Sequence, residues 1–256
     1  MRTTLPVSVP GPDLEANARA ASAALRARRA FSLSGVAPLG AFLVVHLALN
    51  ARALCGGWAF ARSVDALDRF PGLPIIESLF VFAPLVFHGA LGLWLTATRT
   101  PLAGRSPYPR SLGLAMRATG VVVLVFLAVH LTGVRFHVPG TRLGGGELAT
   151  VLDAQLSTTS HGVPWQGLLY LVGTACVTLH FACGLWGFYA TGHAGPECAR
   201  RRRWAAWIAT ALGLAMWVTF ADVVVLRATG APLLGGDLPQ PPATLPCPAP
   251  APASAP

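Results

Sequence analysis

Four histidines, His46, His88, His130 and His180, each stand deep inside a different long apolar stretch of the chain. An ionisable side chain at that depth must be paired, hydrated in a cavity or bound to something, so a functional role is the default reading. The stretches run approximately over 31–54, 74–98, 112–135 and 164–190, and a fifth, over 204–227, carries no histidine. With successive stretches crossing in alternate directions, a helical rise of about 1.5 Å per residue places His46 roughly 6 Å and His130 roughly 10 Å beyond mid-helix toward one face. The same arithmetic places His88 and His180 roughly 2 and 4 Å past the middle toward the other face. Two imidazoles facing each other from different helices at one depth are what six-coordinate haem iron requires, so two such levels imply two stacked haems and a path for electrons across the membrane. A single membrane histidine also serves to bridge helices by a hydrogen bond; four of them, one per segment and paired by depth, favour ligation.

The elements that must hold these residues follow from composition. Hydrophobic residues make up 54% of the 256 and charged residues 11%, with mean hydropathy +0.57, against roughly 25% charged in a soluble domain. Each apolar stretch has the length of about 20 residues that crosses a hydrocarbon core. The expected fold is therefore an all-α integral membrane protein of five transmembrane helices, the first four forming a bundle around two stacked haems. Breakers bound the segments: Gly56-Gly57 after the first, Pro71 and Pro74 before the second, Pro101 to Pro109 after it, and Gly144 to Gly146 after the third.

Charge sets orientation. The net charge of +9 comes from arginines without a lysine, and they fall mostly in short loops, where insertion in a membrane calls for them and nucleic acid need not be invoked. Thirteen lie on the side of the N-terminus and six on the other, which predicts a cytoplasmic N-terminus and an external C-terminus. The organisation expected is a cytoplasmic segment over 1–30, a transmembrane domain over 31–227, and a disordered, Pro/Ala-rich external tail over 228–256. Asp13, Glu15 and several arginines precede the first apolar run, so no cleavable signal peptide is expected.

Other residues carry weaker signals. The five cysteines form neither a C-x-x-C pair nor a C-x-x-C-H site, which removes support for zinc or covalent haem attachment, and Cys176 and Cys183 read as small buried hydrophobes. His137, His161 and His193 fall near helix ends or in loops and read as solvated or interfacial, with a role near a quinone or haem propionate as the lesser alternative. Glycines recur beside the deep histidines, in His88-Gly89-x-x-Gly92 and Gly184-x-x-Gly187; they suit either the face of a porphyrin or close helix packing. Asp222 either pairs with Arg227 or faces the interface, and Arg117 either neutralises a haem propionate or simply meets the positive-inside pattern at a helix entrance.

The local sequences around the histidines resemble a known family. Ser32-Leu33-Ser34-Gly35-Val36-x-Pro38-Leu39-Gly40-x-Phe42 leading to His46-Leu47-x-x-Asn50, Pro84-Leu85-x-x-His88, Arg117-x-Thr119-Gly120 followed by Phe126 and His130, and His180-Phe181-x-x-Gly184-Leu185-Trp186-x-Phe188 are together similar to the di-haem cytochrome b membrane anchor of succinate:menaquinone oxidoreductases and fumarate reductases. The resemblance covers roughly residues 30–227. It implies two haem b groups, one held by His88 and His180 nearer the cytoplasm and an outer one by His46 and His130. It implies location in a bacterial cytoplasmic membrane, a flavoprotein subunit and an iron–sulfur subunit as partners on the cytoplasmic face, and passage of electrons between succinate or fumarate and menaquinone in the respiratory chain and tricarboxylic acid cycle. Asp68 and Glu77 match acidic positions of the family and become candidates for the protons of quinone chemistry. Some relatives carry a glutamate two residues before the fourth histidine; Thr178 stands there in this chain, which puts a proton route through that position in doubt. Two rival readings remain open: a haem b anchor of another quinone-linked complex, of formate dehydrogenase or hydrogenase type, and a haem-free transporter or structural anchor with proton-relay or helix-bridging histidines.

Overall fold

The computed structural model describes residues 12–98, 109–137, 142–192, 198–236 and 238–239. Five helices are long and apolar enough to cross a membrane: α1 (Ala16–Cys55), α3 (Leu73–Ala97), α4 (Arg110–Arg135), α6 (Trp165–Thr191) and α7 (Ala199–Thr229). Two shorter ones, α2 (Gly57–Asp68) and α5 (Gly145–Ser157), lie between them. Among the described residues the only pairing outside helices is an isolated bridge between Ser160 and Val163. The chain is an all-α membrane protein.

The five spans match the apolar stretches closely, with one difference in extent. The first helix begins at Pro12, well before the apolar run at residue 31, because the intervening segment is rich in alanine and arginine, both strong helix formers. It ends at Gly56, whose φ of 107° suits a residue without a Cβ.

The helices α1, α3, α4 and α6 enclose a common interior, α1 touching α3 and α6, and α4 touching α3 and α6. Helix α7 packs along α6 and reaches the second half of α1. Small residues make the α6–α7 seam: a Cβ on Gly213 would meet the Ala182 methyl at 2.8 Å and the Thr178 carbonyl oxygen at 3.3 Å. Lipid tails are as apolar as leucine, so helices in a membrane gain by backbone approach through such residues while large apolar side chains face outward. Val44, Val45, Phe80, Val86, Leu114, Trp207 and Ile208 are all exposed on the bundle surface in keeping with this.

The two ends of the bundle differ. One carries Arg26, Arg28, Arg29, Arg110, Arg117 and Arg200 to Arg203 and is called here the basic end. At the other, α2 packs on α5 and α5 on α7, closing a capped end. The buried cluster of Ala53, Phe60, Leu152, Val223 and Leu226 joins this cap to α1 and α7, and Leu238 packs against it. Asp65 of α2 accepts a hydrogen bond from the Gly145 N–H at 2.7 Å, satisfying a free donor in the first turn of α5.

Candidate functional site

The deep histidines meet in two pairs. His46 of α1 and His130 of α4 have ring centroids 5.8 Å apart, and His88 of α3 and His180 of α6 have theirs 6.3 Å apart, each pair with ring planes 85° to one another. The pairing is the one the depth argument anticipates. Along α1, Ser34 stands at the level of the second pair and His46 belongs to the first, so the two levels lie about 17 Å apart.

Three of the four rings are held by an aromatic neighbour. Phe31 stacks on His88 at 4.6 Å and 2°, Phe126 on His130 at 5.7 Å and 24°, and Phe42 on His46 at 5.3 Å and 28°. Hydroxyl groups fix the ring nitrogens. The Ser34 hydroxyl donates to the Phe31 carbonyl at 2.7 Å and lies 3.2 Å from His88 Nδ1. The Thr119 hydroxyl donates to the Ala115 carbonyl at 2.8 Å and lies 3.2 Å from His180 Nδ1. With the hydroxyl proton on the backbone carbonyl, where the shorter contact places it, each hydroxyl accepts, which assigns the ring proton of both histidines to Nδ1. Nε2 then keeps its lone pair, the form a metal ligand needs, with the other ring nitrogen tethered in the way second-shell groups orient ligating histidines. Tyr170 Oη stands 3.3 Å from His130 Nδ1 and acts at the capped-end level.

The two hydroxyl tethers reveal an internal correspondence. Ser34-Gly35 precedes His46 in α1 by twelve residues and Thr119-Gly120 precedes His130 in α4 by eleven. The extra residue in α1 is absorbed in a π-helical turn, Gly35–Leu39, which contains Pro38. Such a turn is a one-residue insertion that leaves the flanking helix in phase. Both glycines make room for a histidine: a Cβ on Gly35 would lie 2.6 Å from His88 Cε1 and one on Gly120 3.2 Å from His180 Cε1.

All four histidines line one continuous cavity of about 1110 Å³, above the roughly 300–1,000 Å³ of ordinary small-molecule sites. It extends from Arg28 and Arg117 at the basic end to Asp68, Glu77 and Arg142 at the capped end. Gly89, Gly92, Gly184 and Gly187 line it, and a Cβ on Gly184 would meet nothing within 4 Å. Gly184 therefore leaves space in the cavity rather than serving a helix contact. Helix α7, which has no histidine, still contributes Phe220, Val223, Val224 and Arg227 to the wall.

The donor set fits a porphyrin. Two imidazoles on one iron, with metal–nitrogen distances of about 2 Å, have ring centroids about 6 Å apart, close to both separations observed. Among the described residues no three His, Cys, Asp or Glu side chains gather as a cage for a bare metal ion.

At the capped end Arg142 bonds both candidate acids, Asp68 Oδ1 at 2.8 Å and Glu77 Oε1 at 3.3 Å, and Arg135 lies 3.5 Å from Glu77 Oε2. Hydrogen bonding with Glu77, and secondarily with Asp68, pushes the Arg142 guanidinium above its ordinary value against the opposing effect of partial burial. The structure thus brings Asp68 and Glu77 together at the mouth of the cavity.

The other candidate residues occupy varied surroundings. Arg227 pairs with Asp153 at 2.7 Å, not with Asp222, because α5 lays Asp153 beside it. Asp222 instead accepts the backbone N–H groups of Leu233 and Leu234. Thr178 is fully buried on the α7 side of α6, bonded to the Thr174 carbonyl at 3.0 Å, and does not line the cavity. Cys176 and Cys183 are half-buried rather than core residues and take no part in a disulfide. His137 and His161 are exposed, Arg117 is exposed at the basic end, and His193 lies outside the described residues. Sequence reasoning passed over the tethers Ser34, Thr119 and Tyr170 and the clamp Arg142; the hydroxyl-Gly dipeptide ahead of each α1 and α4 histidine was the available signal.

The fold and site define a class: a five-span helical membrane protein whose interior presents two levels of facing histidines. The comparisons narrow it. Over 166 residues the chain is 31% identical to the succinate dehydrogenase cytochrome b558 subunit of Bacillus subtilis (strain 168), a match spanning 64% of this chain and 78% of that protein. No family model matches the sequence and no solved structure matches the chain. The chain belongs to the family of succinate dehydrogenase cytochrome b subunits.

Proposed function

We propose that this chain is a two-haem membrane anchor of a succinate dehydrogenase or fumarate reductase, passing electrons between an iron–sulfur partner at the basic end and menaquinone at the capped end. The observation that carries the reading is the pair of convergent histidine levels in one cavity, with Nδ1 of His88 and His180 each 3.2 Å from a hydroxyl oxygen. A haem b iron between two imidazoles carries one electron at a time. His88 and His180 hold one such group and His46 and His130 the other, while Phe31, Phe42 and Phe126 fix the ring orientations. The family membership supports a flavoprotein and an iron–sulfur subunit as partners, and the arginines of the basic end support a cytoplasmic face there. The transmembrane unit is taken over 31–227, flanked by a cytoplasmic segment and an external tail.

The test is a haem-to-protein ratio with reduced-minus-oxidised spectra on the purified complex. Two b-type haems per chain are expected; none in a folded sample would overturn the reading.

Forming a quinol takes two protons as well as two electrons, and Glu77 and Asp68, gathered by Arg142 at the cavity mouth, are positioned to deliver them. Glu77→Gln is expected to lower quinone reduction by about 10²-fold, the scale of a positioned acid–base group. Both haems, and reduction by succinate of a dye that takes electrons before the membrane subunit, should be unaffected. Unchanged quinone turnover would remove Glu77 from the route.

A further inference from the structure

Arg227 is a buried charge with an unused edge. It is 7% exposed, on α7 seven residues beyond Phe220, whose ring lies 6.3 Å from that of His46. Seven residues return to the same helix face about 10 Å further along, so Arg227 stands on the cap side of the His46–His130 level. Its Nη1 donates to Asp153 Oδ1 at 2.7 Å and to the Ala149 carbonyl at 3.3 Å, and its Cζ lies 4.3 Å from the centre of the Phe60 ring. Nε and Nη2 are buried and without a partner, and the residue lines the cavity.

Those two nitrogens share one edge of the guanidinium, the edge that grips two oxygens of a carboxylate in parallel. Asp153 does not meet that need: it engages the opposite nitrogen, and its side chain is 56% exposed, so solvent screens its charge. A positive charge held among Phe60, Leu152 and Val223 calls for an anion inside the cavity. A porphyrin of the b type carries two carboxylates on one side of its ring, and one bound between His46 and His130 shares this cavity and this helix face.

We propose that the Nε–Nη2 edge of Arg227 receives a carboxylate of the porphyrin held by His46 and His130. The proposal rests on the haem reading above and adds to it a positioning residue that sets the electrostatics of one haem alone. Neutralising the carboxylate favours the reduced iron, so the guanidinium raises that haem's potential relative to a neutral side chain.

The test is a spectroscopic redox titration of the purified complex carrying Arg227→Gln, Arg227→Lys or Asp153→Asn, with the capped-end haem identified by its loss in His46→Ala. Arg227→Gln is expected to keep both haems and to lower the midpoint potential of the capped-end haem only. Arg227→Lys should restore most of that potential but shift the carboxylate band in redox-difference infrared spectra, because charge returns without the fork. Asp153→Asn should cost thermal stability and leave the potential in place. An unmoved potential in Arg227→Gln overturns the proposal, as does an equal shift in Asp153→Asn, which would mean a structural pair only. A raised KM for quinone with both potentials unmoved would place a quinone oxygen on that edge and equally overturn it. If Arg227→Gln does not fold, an unmoved infrared band in Arg227→Lys overturns it instead. Absence of the capped-end haem from the unmodified complex would bring down the haem reading before Arg227 is tested.

Discussion

Replacing His180 by alanine is expected to give a complex with one haem per chain in place of two. The remaining haem should be the one between His46 and His130, and its spectrum should match the complement of what His46→Ala retains. The physical basis is the separation of the levels: no side chain is shared between the pair at 6.3 Å and the pair at 5.8 Å, and about 17 Å of helix lies between them. Alanine removes one of the two imidazoles that would hold this haem and leaves Thr119 with no ring nitrogen to accept from. Because the levels lie in series, electron transfer from succinate to quinone should fall to near background although one haem and the bundle survive. Haem content and turnover on the same preparation check the prediction. Retention of both haems would undo the ligand assignment.

The second large effect is expected from a residue that is not a ligand. Gly184 lines the cavity on α6, one turn beyond His180, and a Cβ there meets open space. If that space belonged to a haem-free protein, Gly184→Leu would fill part of it and raise thermal stability. With a porphyrin against the helix, the leucine overlaps it, and overpacking costs typically about 1–3 kcal/mol. That is roughly a 5- to 150-fold loss of affinity. The expected result is loss of the His88–His180 haem with the other retained, measured by absorbance per chain. Gly146→Leu, at a site equally open but on the surface of α5 away from the cavity, should change nothing.

What could be read from sequence divides along physical lines. The spans were legible because about 20 apolar residues in a row have few outcomes besides crossing a membrane. The depth pairing of the histidines was legible because helical rise converts residue number into height, and four heights sorted into two levels. The cap was not legible: α2 and α5 are short, and what makes them helices is their contact with each other, through Gly145 against the Ala61 backbone and Asp65 on the Gly145 N–H. The partner of Arg227 was out of reach of the sequence for the same reason. Asp222 and Arg227 are near in sequence, five residues apart on a helix, which turns them to different faces, whereas Asp153 is brought in by α5. The Gly184 question, cavity or close packing, could be answered only by seeing what stands opposite it.

The size of the interior bears on how such a chain can be made at all. A bundle that closed around an apolar space of this size with nothing in it would leave the cavity walls without packing partners, a cost that rises with the volume left empty, and folded proteins have little stability to spare. The helices can be inserted one by one, but their final arrangement has to form around its contents. Under the haem reading, biogenesis and cofactor delivery become one step. A cell short of porphyrin would then accumulate five inserted but loosely associated helices, open to membrane proteases, instead of a finished subunit waiting to be filled.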